Sequence, residues 1–438
     1  MKKLYKNPNP GDKIKVILDN NKKEEGVLLD SHDRGVLLLK LDNGYNIGLK
    51  KENIEEIKII ERKEIRGEDK GLEGDKEKLK ISGKKPIIDF ILTGGTISSK
   101  LDSETGAVKP LIDSKELFAM HPEIFEKVDI RVKVPFSKLS ENMDSRDWIR
   151  IAKEVGKSLN DKNVKGVVVS HGTDILHYTA SAMSFMLGKL NKPVVLTYSQ
   201  KSSDRGSSDS RLNLLCSVNI ALSDIAEVVV VGHASISDDY CYVLRGVNVC
   251  KMHSSRRDTF RPINDIPIAK AYINGIEIIG KDYNKRNKNK VEIDNVFDDR
   301  ICLIKFYPGQ NPDILDYYRK KGYRGIIIEM TGLGHVCVER KNSWIPKLKE
   351  IINKGIFVYA VPQTIYGRLD PYVYESGRKL QEIGVVYLEE MLSTTALTKL
   401  GWILGHRGWR GSVVTRKKML ENLHGEIGKK LRVNDFLY

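Results

Sequence analysis

Residues 87–98 read Ile87-Ile88-Asp89-Phe90-Ile91-Leu92-Thr93-Gly94-Gly95-Thr96-Ile97-Ser98. The first six are a short apolar run rich in β-branched residues, the pattern of a strand buried on both faces. The run then delivers two glycines flanked by threonine hydroxyls. Ligands of open α/β sheets bind at the carboxyl ends of strands, and paired glycines let backbone approach a ligand closely. Taken alone, the segment reads first as a tight turn with incidental threonines, and only its neighbours change that.

Downstream, residues 164–169, 193–198 and 228–231 are further short apolar runs, with a helical stretch over 175–190. Buried parallel strands alternating with helices predict an α/β layered domain over 86–280. A polar, basic stretch begins at 281 and reads as a connector to about 298. Runs at 301–306, 325–330 and 356–361 predict a smaller α/β domain over 299–438, ending in a helical tail. Upstream, the mixed charges and glycines of residues 62–85 read as a linker. Before them, residues 1–61 read as a small β unit: Ile14, Val16 and Leu18 alternate with polar residues, and Asn43-Gly44 is a hairpin signal. A small barrel fits this span.

Composition narrows the class. The chain has 438 residues, too many for one ordinary domain, and a 40% hydrophobic fraction that supports a real core. No run approaches the roughly 20 apolar residues that span a bilayer. The opening Met1-Lys2-Lys3-Leu4-Tyr5 lacks the apolar core of a signal peptide, so the expectation is a cytoplasmic protein. The 5 cysteines are scattered and unpaired by any Cys-x-x-Cys spacing, which argues for reduced thiols and against a structural zinc site. A net charge of +15 is compatible with a solvated surface or with steering toward RNA.

Two more segments carry chemistry. The 164–169 strand ends in Ser170-His171-Gly172-Thr173-Asp174, a second hydroxyl beside a carboxylate at a strand end. Asp174 also suits a helix N-cap, and His171 is as readily structural as a general base. Further on, Val247-Asn248-Val249-Cys250-Lys251 places a lysine near a strand or turn end. Burial beside other groups can turn such a lysine into a base.

Together these segments resemble the L-asparaginase and glutaminase amidohydrolases. Thr93-Gly94-Gly95-Thr96-Ile97 matches the family's T-G-G-T-I, His171-Gly172-Thr173-Asp174-Ile175 its H-G-T-D-T, and Lys251 its downstream lysine. The resemblance implies a two-domain α/β fold with Thr96 as nucleophile, Thr173 as second hydroxyl, and Asp174 and Lys251 as its partners. It also implies that Ser140 and Glu141 contact the substrate, and it asks for no metal. Ile175 and Gly206 depart from the family pattern without removing a proposed reacting group. The loop after Thr96 has no tyrosine, unlike many free asparaginases.

Over nearly its whole length the chain resembles one branch, the D subunits of archaeal glutamyl-tRNA(Gln) amidotransferases. Residues 41–48, in a small SH3-like unit that free asparaginases lack, carry part of that likeness, as do 199–205, 251–261, 331–335 and 365–368. The branch implies glutamine as substrate and ammonia passed to a partner E subunit. That partner holds Glu-tRNA(Gln), ATP and magnesium, and this chain carries no cofactor of its own. A homodimer within a heterotetramer is implied. A stand-alone asparaginase or glutaminase is the alternative, and the N-terminal β unit argues against it.

Chemistry alone then asks for covalent catalysis, because threonine is a poor nucleophile and an amide a poor electrophile. A base and an oxyanion stabiliser are needed, the latter worth about 3–4 kcal/mol per donor.

Overall fold

The computed structural model describes residues 8–29, 31, 33, 35–42, 46–62, 83–95, 99–101, 108–110, 121–203, 207–280, 282–431, 433 and 436. The first unit has five strands: β1 (Lys13–Leu18), β2 (Lys23–Leu29), β3 (Val36–Leu41), β4 (Asn46–Lys50) and β5 (Ile54–Glu61). They pair antiparallel in the order β4-β3-β2-β1-β5, so the last strand returns to the first. Period-two alternation puts Ile14, Val16, Leu37 and Leu39 into one small core with Leu28. The Asn43-Gly44 signal lies outside the described residues, although β3 and β4 pair from Val36↔Lys50 to Lys40↔Asn46 around it. Among the described residues the unit is a five-stranded antiparallel sheet with β5 beside β1 and no β4–β5 pairing.

The central body is an eight-stranded sheet. Its parallel part runs β9 (Asp129–Lys133), β6 (Ile87–Leu92), β10 (Val164–Ser170), β11 (Val194–Thr197), β12 (Val228–His233). Antiparallel β13 (Cys241–Arg245), β16 (Ala269–Tyr272) and β17 (Gly275–Ile278) extend it beyond β12. Both faces are apolar, which is why the strands read as continuous runs. Helices α1 (Ser145–Leu159) and α2 (Leu176–Leu187) cover Ile91, Val167 and Val169; helix α3 (Ser210–Leu222) covers Ile88, Phe90 and Val168. Asp89, a charge inside the first strand, is fully buried, and its carboxylate is satisfied by Arg131, Lys133 and Ser158. A buried charge persists only with such partners.

The third unit is a parallel sheet of β18 (Ile301–Lys305), β19 (Gly325–Met330), β20 (Phe357–Pro362) and β21 (Val386–Tyr387). Helices α4 (Ile314–Lys320), α5 (Ile345–Asn353), α6 (Glu375–Glu382), α7 (Ser393–Gly405) and α8 (Ser412–Leu420) accompany it. Helix α7 joins the two bodies. Its Thr398 Oγ1 lies 2.7 Å from Ser181 Oγ on α2, and its Thr395 hydroxyl donates to the Val247 carbonyl at 2.6 Å. Lys399 on the same helix has no exposed surface and donates to Glu426 at 2.6 Å and to the carbonyls of Met419 and Glu421, fastening the tail.

The stretch read as a connector is docked against the central body from Asn284 onward. The Ala226 and Asn284 backbones, the Arg286 and Asp224 backbones, and the Asn287 and Asn191 backbones are hydrogen bonded at 2.8, 2.8 and 3.2 Å. Asn191 Nδ2 donates to the Asn289 carbonyl at 2.7 Å, and the Val291 N–H donates to Asn160 Oδ1 at 2.9 Å. Composition showed polarity there, but not that asparagine amides would hold the backbone against the body. Among the described residues no helix is long and apolar enough to cross a membrane.

Candidate active site

The ends of β6 and β10 lie level, with Ser170 paired to Leu92. Beyond them three backbones cross at close range, and glycine is what allows it. Gly94 (φ +111°) and Gly95 (φ +85°) occupy left-handed conformations that side chains avoid. A Cβ on Gly94 would overlap the Lys138 backbone, and one on Gly95 would overlap the His171–Gly172 backbone. A Cβ on Gly172 would stand 2.7 Å from Ser140 Oγ. The three loops therefore meet at one point, and Ser140 belongs to it.

Thr93 and Thr96 cannot be told apart by sequence as nucleophiles, and the fold shows what occupies Thr93. Thr93 has no exposed surface, and its hydroxyl donates to the Ser170 carbonyl at 2.7 Å. Its own carbonyl accepts from the Lys138 N–H at 3.0 Å, so the residue ties loops together. Thr96 lies outside the described residues.

Lys251 closes the short strand β14 (Val249–Lys251), which pairs with β15 (Phe260–Pro262). Its Nζ donates to Thr173 Oγ1 at 2.9 Å and to Asp174 Oδ1 at 2.8 Å. The lysine side chain is 12% exposed and the aspartate 59%, so the amine is sheltered while the carboxylate reaches into solvent. An ammonium holding a hydroxyl and a carboxylate together can pass a proton through that hydroxyl and leave the outer carboxylate oxygen for a cationic ligand.

His171, a candidate base, is a scaffold. It is fully buried, its Nδ1–H donates to the Gly172 carbonyl at 2.7 Å, and Nε2 accepts from the Thr179 hydroxyl at 2.9 Å. Thr179 accepts in turn from the Trp148 indole at 3.0 Å. Both ring nitrogens are thus occupied in the neutral tautomer, and burial pushes the imidazole down to about 4.

Ser140 and Glu141 share one 3₁₀ turn, Ser140–Asn142. Ser140 is 2% exposed and its hydroxyl has no partner among the described residues, an unmet hydrogen-bonding group at the crossing of the loops. Glu141 is exposed. The turn is anchored by Lys138, which pairs with Asp147 at 2.7 Å, while Asp147 also closes a capping box with Asp144. Sequence reasoning missed Lys138 and Asp147; the Asp-x-x-Asp helix start was the available signal. It also missed His177, a buried neighbour of Lys251 whose Nδ1 has no partner among the described residues. Burial and then the Lys251 charge push that imidazole down to about 4.

The described residues contain no group of three or more His, Cys, Asp or Glu arranged to hold a metal ion.

Comparison with known proteins agrees with this architecture. Residues 87–283 match the asparaginase N-terminal model, 300–413 the glutaminase/asparaginase C-terminal domain, and 9–60 the GatD N-terminal domain. The thermostable L-asparaginase from Thermococcus kodakarensis superposes with a TM-score of 0.70 at 27% identity, over 78% of this chain and 100% of that one. The uncovered part leaves room for the small β unit. The glutamyl-tRNA(Gln) amidotransferase D subunit of Pyrococcus abyssi is 45% identical, over 99% of this chain and 98% of its own. The corresponding protein of Methanobrevibacter smithii is 40% identical, over 98% and 96%. With a match that runs from the first strand to the tail, this chain belongs to the family of glutamyl-tRNA(Gln) amidotransferase D subunits.

Proposed function

We propose that this chain hydrolyses the side-chain amide of glutamine and supplies the ammonia with which a partner E subunit converts Glu-tRNA(Gln) to Gln-tRNA(Gln). The observation that carries this reading is the Lys251 bridge between Thr173 and Asp174, set beside the Gly95–Gly172 crossing that leads directly into Thr96. Thr96 attacks the amide carbon, forming a tetrahedral oxyanion; collapse expels ammonia and leaves an ester on Thr96. Water then attacks the ester and releases glutamate. Thr173 and Lys251 form the proton path in both steps, with Asp174 orienting the lysine. The commitment of the Thr93 hydroxyl to a carbonyl supports Thr96 as the reacting one.

Ser140 and Glu141 hold the amino and carboxylate end of the substrate, and the unpartnered Ser140 hydroxyl supports that assignment. No cofactor is assigned to this chain; ATP and magnesium act in the partner, where the glutamyl carboxylate is activated. Two copies of this chain sit with two E subunits, and tRNA is held mainly by the partner. The GatD N-terminal domain at 9–60 favours this reading over a stand-alone asparaginase.

The test follows labelled amide nitrogen from glutamine, with and without the E subunit and Glu-tRNA(Gln). Label in Gln-tRNA(Gln) is expected, with slow hydrolysis by the chain alone. Full hydrolysis unchanged by partner and tRNA would instead indicate a free amidohydrolase.

A further inference from the structure

A second charged feature lies at the other end of the sheet, where β6, β10 and β11 begin. It is a cleft of about 1020 Å³ lined by Lys162, Lys165, Lys192, Arg286, Lys288 and Lys290. Asparagines contribute much of the remaining lining, and among the described residues no aspartate or glutamate side chain does. The six cations come from three separate stretches of chain, so the cluster is made by folding and is not a single basic run.

Two of the six are spent on structure. Arg286 donates to the carbonyls of Lys165, Ala221 and Ser223, and Lys192 to that of Asp161. They hold the walls. Lys162, Lys165, Lys288 and Lys290 are exposed. The last two ride on the docked stretch, whose backbone the amides of Asn160 and Asn191 hold in place. The backbone that carries Lys288 and Lys290 is thereby held beside the strand that carries Lys165 before any ligand arrives, which lowers the ordering cost of binding.

We infer that this cleft binds the sugar–phosphate backbone of RNA. Lysine is a point charge suited to phosphate, and the cleft is too large for a lone anion. A protein partner fits poorly, because lysine is depleted from such interfaces and aromatic anchors are enriched, and no aromatic side chain among the described residues lines this cleft. The seven-residue β10 separates the cleft from Thr173 and Asp174 by roughly 20 Å at about 3.3 Å per residue, so RNA bound here leaves the amidohydrolase site open. RNA binding at this end of the sheet does not depend on the glutaminase assignment.

The experiment is fluorescence anisotropy of a labelled, unacylated tRNA transcript with the full chain over a range of salt. The wild type is expected to bind at low salt, with affinity falling steeply as salt rises. The combined variant Lys162→Glu, Lys165→Glu, Lys288→Glu, Lys290→Glu should bind at least about tenfold more weakly, with a salt slope shallower by about 3. The milder Lys288→Ala, Lys290→Ala pair should show an intermediate loss. Reversal of Arg416, Lys417 and Lys418 on α8 should leave binding unchanged. Glutamine hydrolysis, measured on the same samples, should match wild type and so report that each variant is folded. Absence of wild-type binding at low salt, wild-type affinity in the cleft variants, or loss confined to the α8 variant would each overturn the inference.

Discussion

Lys251→Met removes an ammonium and keeps a stem of similar length. Its effect on stability follows from exposure: the partner Asp174 is 59% exposed, so solvent screens the pair and its contribution lies within about 1 kcal/mol. The variant should melt close to wild type. Its effect on catalysis should be large, because Nζ is the group that touches both Thr173 Oγ1, at 2.9 Å, and Asp174 Oδ1, at 2.8 Å. A loss of at least about a thousandfold in glutamine hydrolysis is expected, about 4 kcal/mol of transition-state stabilisation. Thr173→Val should lose a similar amount. Independent contributions would multiply to about a millionfold in the double variant, whereas members of one proton path, once broken, have little left to lose. The double variant should therefore stay within about tenfold of either single one. The assay is ammonia release at saturating and limiting glutamine, so that kcat and KM are separated, with melting curves on the same samples. A millionfold loss in the double variant refutes the shared path. A thousandfold loss accompanied by a large drop in melting temperature refutes the argument from exposure.

Thr96→Val should abolish glutamine hydrolysis with the fold intact, whereas Thr93→Val should chiefly cost stability, about 1 kcal/mol for the lost bond to the Ser170 carbonyl; ammonia release and melting curves distinguish them, and more than a tenth of normal activity in the first would reassign the nucleophile. Gly95→Ala should lose both activity and stability, because its φ of +85° strains any Cβ and that Cβ would strike Gly172; wild-type behaviour in ammonia release and chemical denaturation would contradict the close crossing. His171 and His177 are buried and His424 is half-buried, and desolvation pushes each imidazole down to about 4, so the unfolded chain binds more protons wherever pH lies between about 6.5 and about 4. Unfolding free energy should thus fall as pH drops through that window, and a flat profile from pH 7 to about 4.5 in chemical denaturation would show that these rings are not held neutral.

What the sequence disclosed, it disclosed through periodicity and motif. The strand at 87–92 was legible because burial on both faces leaves an apolar run broken only by Asp89, and the helix after Asp174 because its period is that of a helix. That helix stops at Leu187, where Gly188 turns to φ +57°, three residues before the expected end. The grouping of Thr173, Asp174 and Lys251 was legible only by resemblance: the lysine lies 77 residues beyond Asp174, and no local rule brings a three-residue strand to a distant loop. The roles of His171 and Thr93 were not legible, since the bonds of Thr93 to the Ser170 carbonyl and of His171 to the Thr179 hydroxyl leave no trace in the order of residues. The docking of the connector after 281 was not legible for a related reason, because an asparagine that clamps backbone looks the same in sequence as one in water.

Helix α7 grips both limbs of the lysine cluster: Ser181 lies on the helix that follows Asp174, and Val247 on the turn that leads to Lys251. A displacement of the smaller α/β unit would pull on both of these hydrogen bonds, and through them on the elements that carry Asp174 and Lys251. Damage to the rear unit should then be felt as a loss of turnover before it is felt as a loss of binding. For an engineer, the place to tune this enzyme's speed without touching a reacting group is a threonine on the far side of the wall.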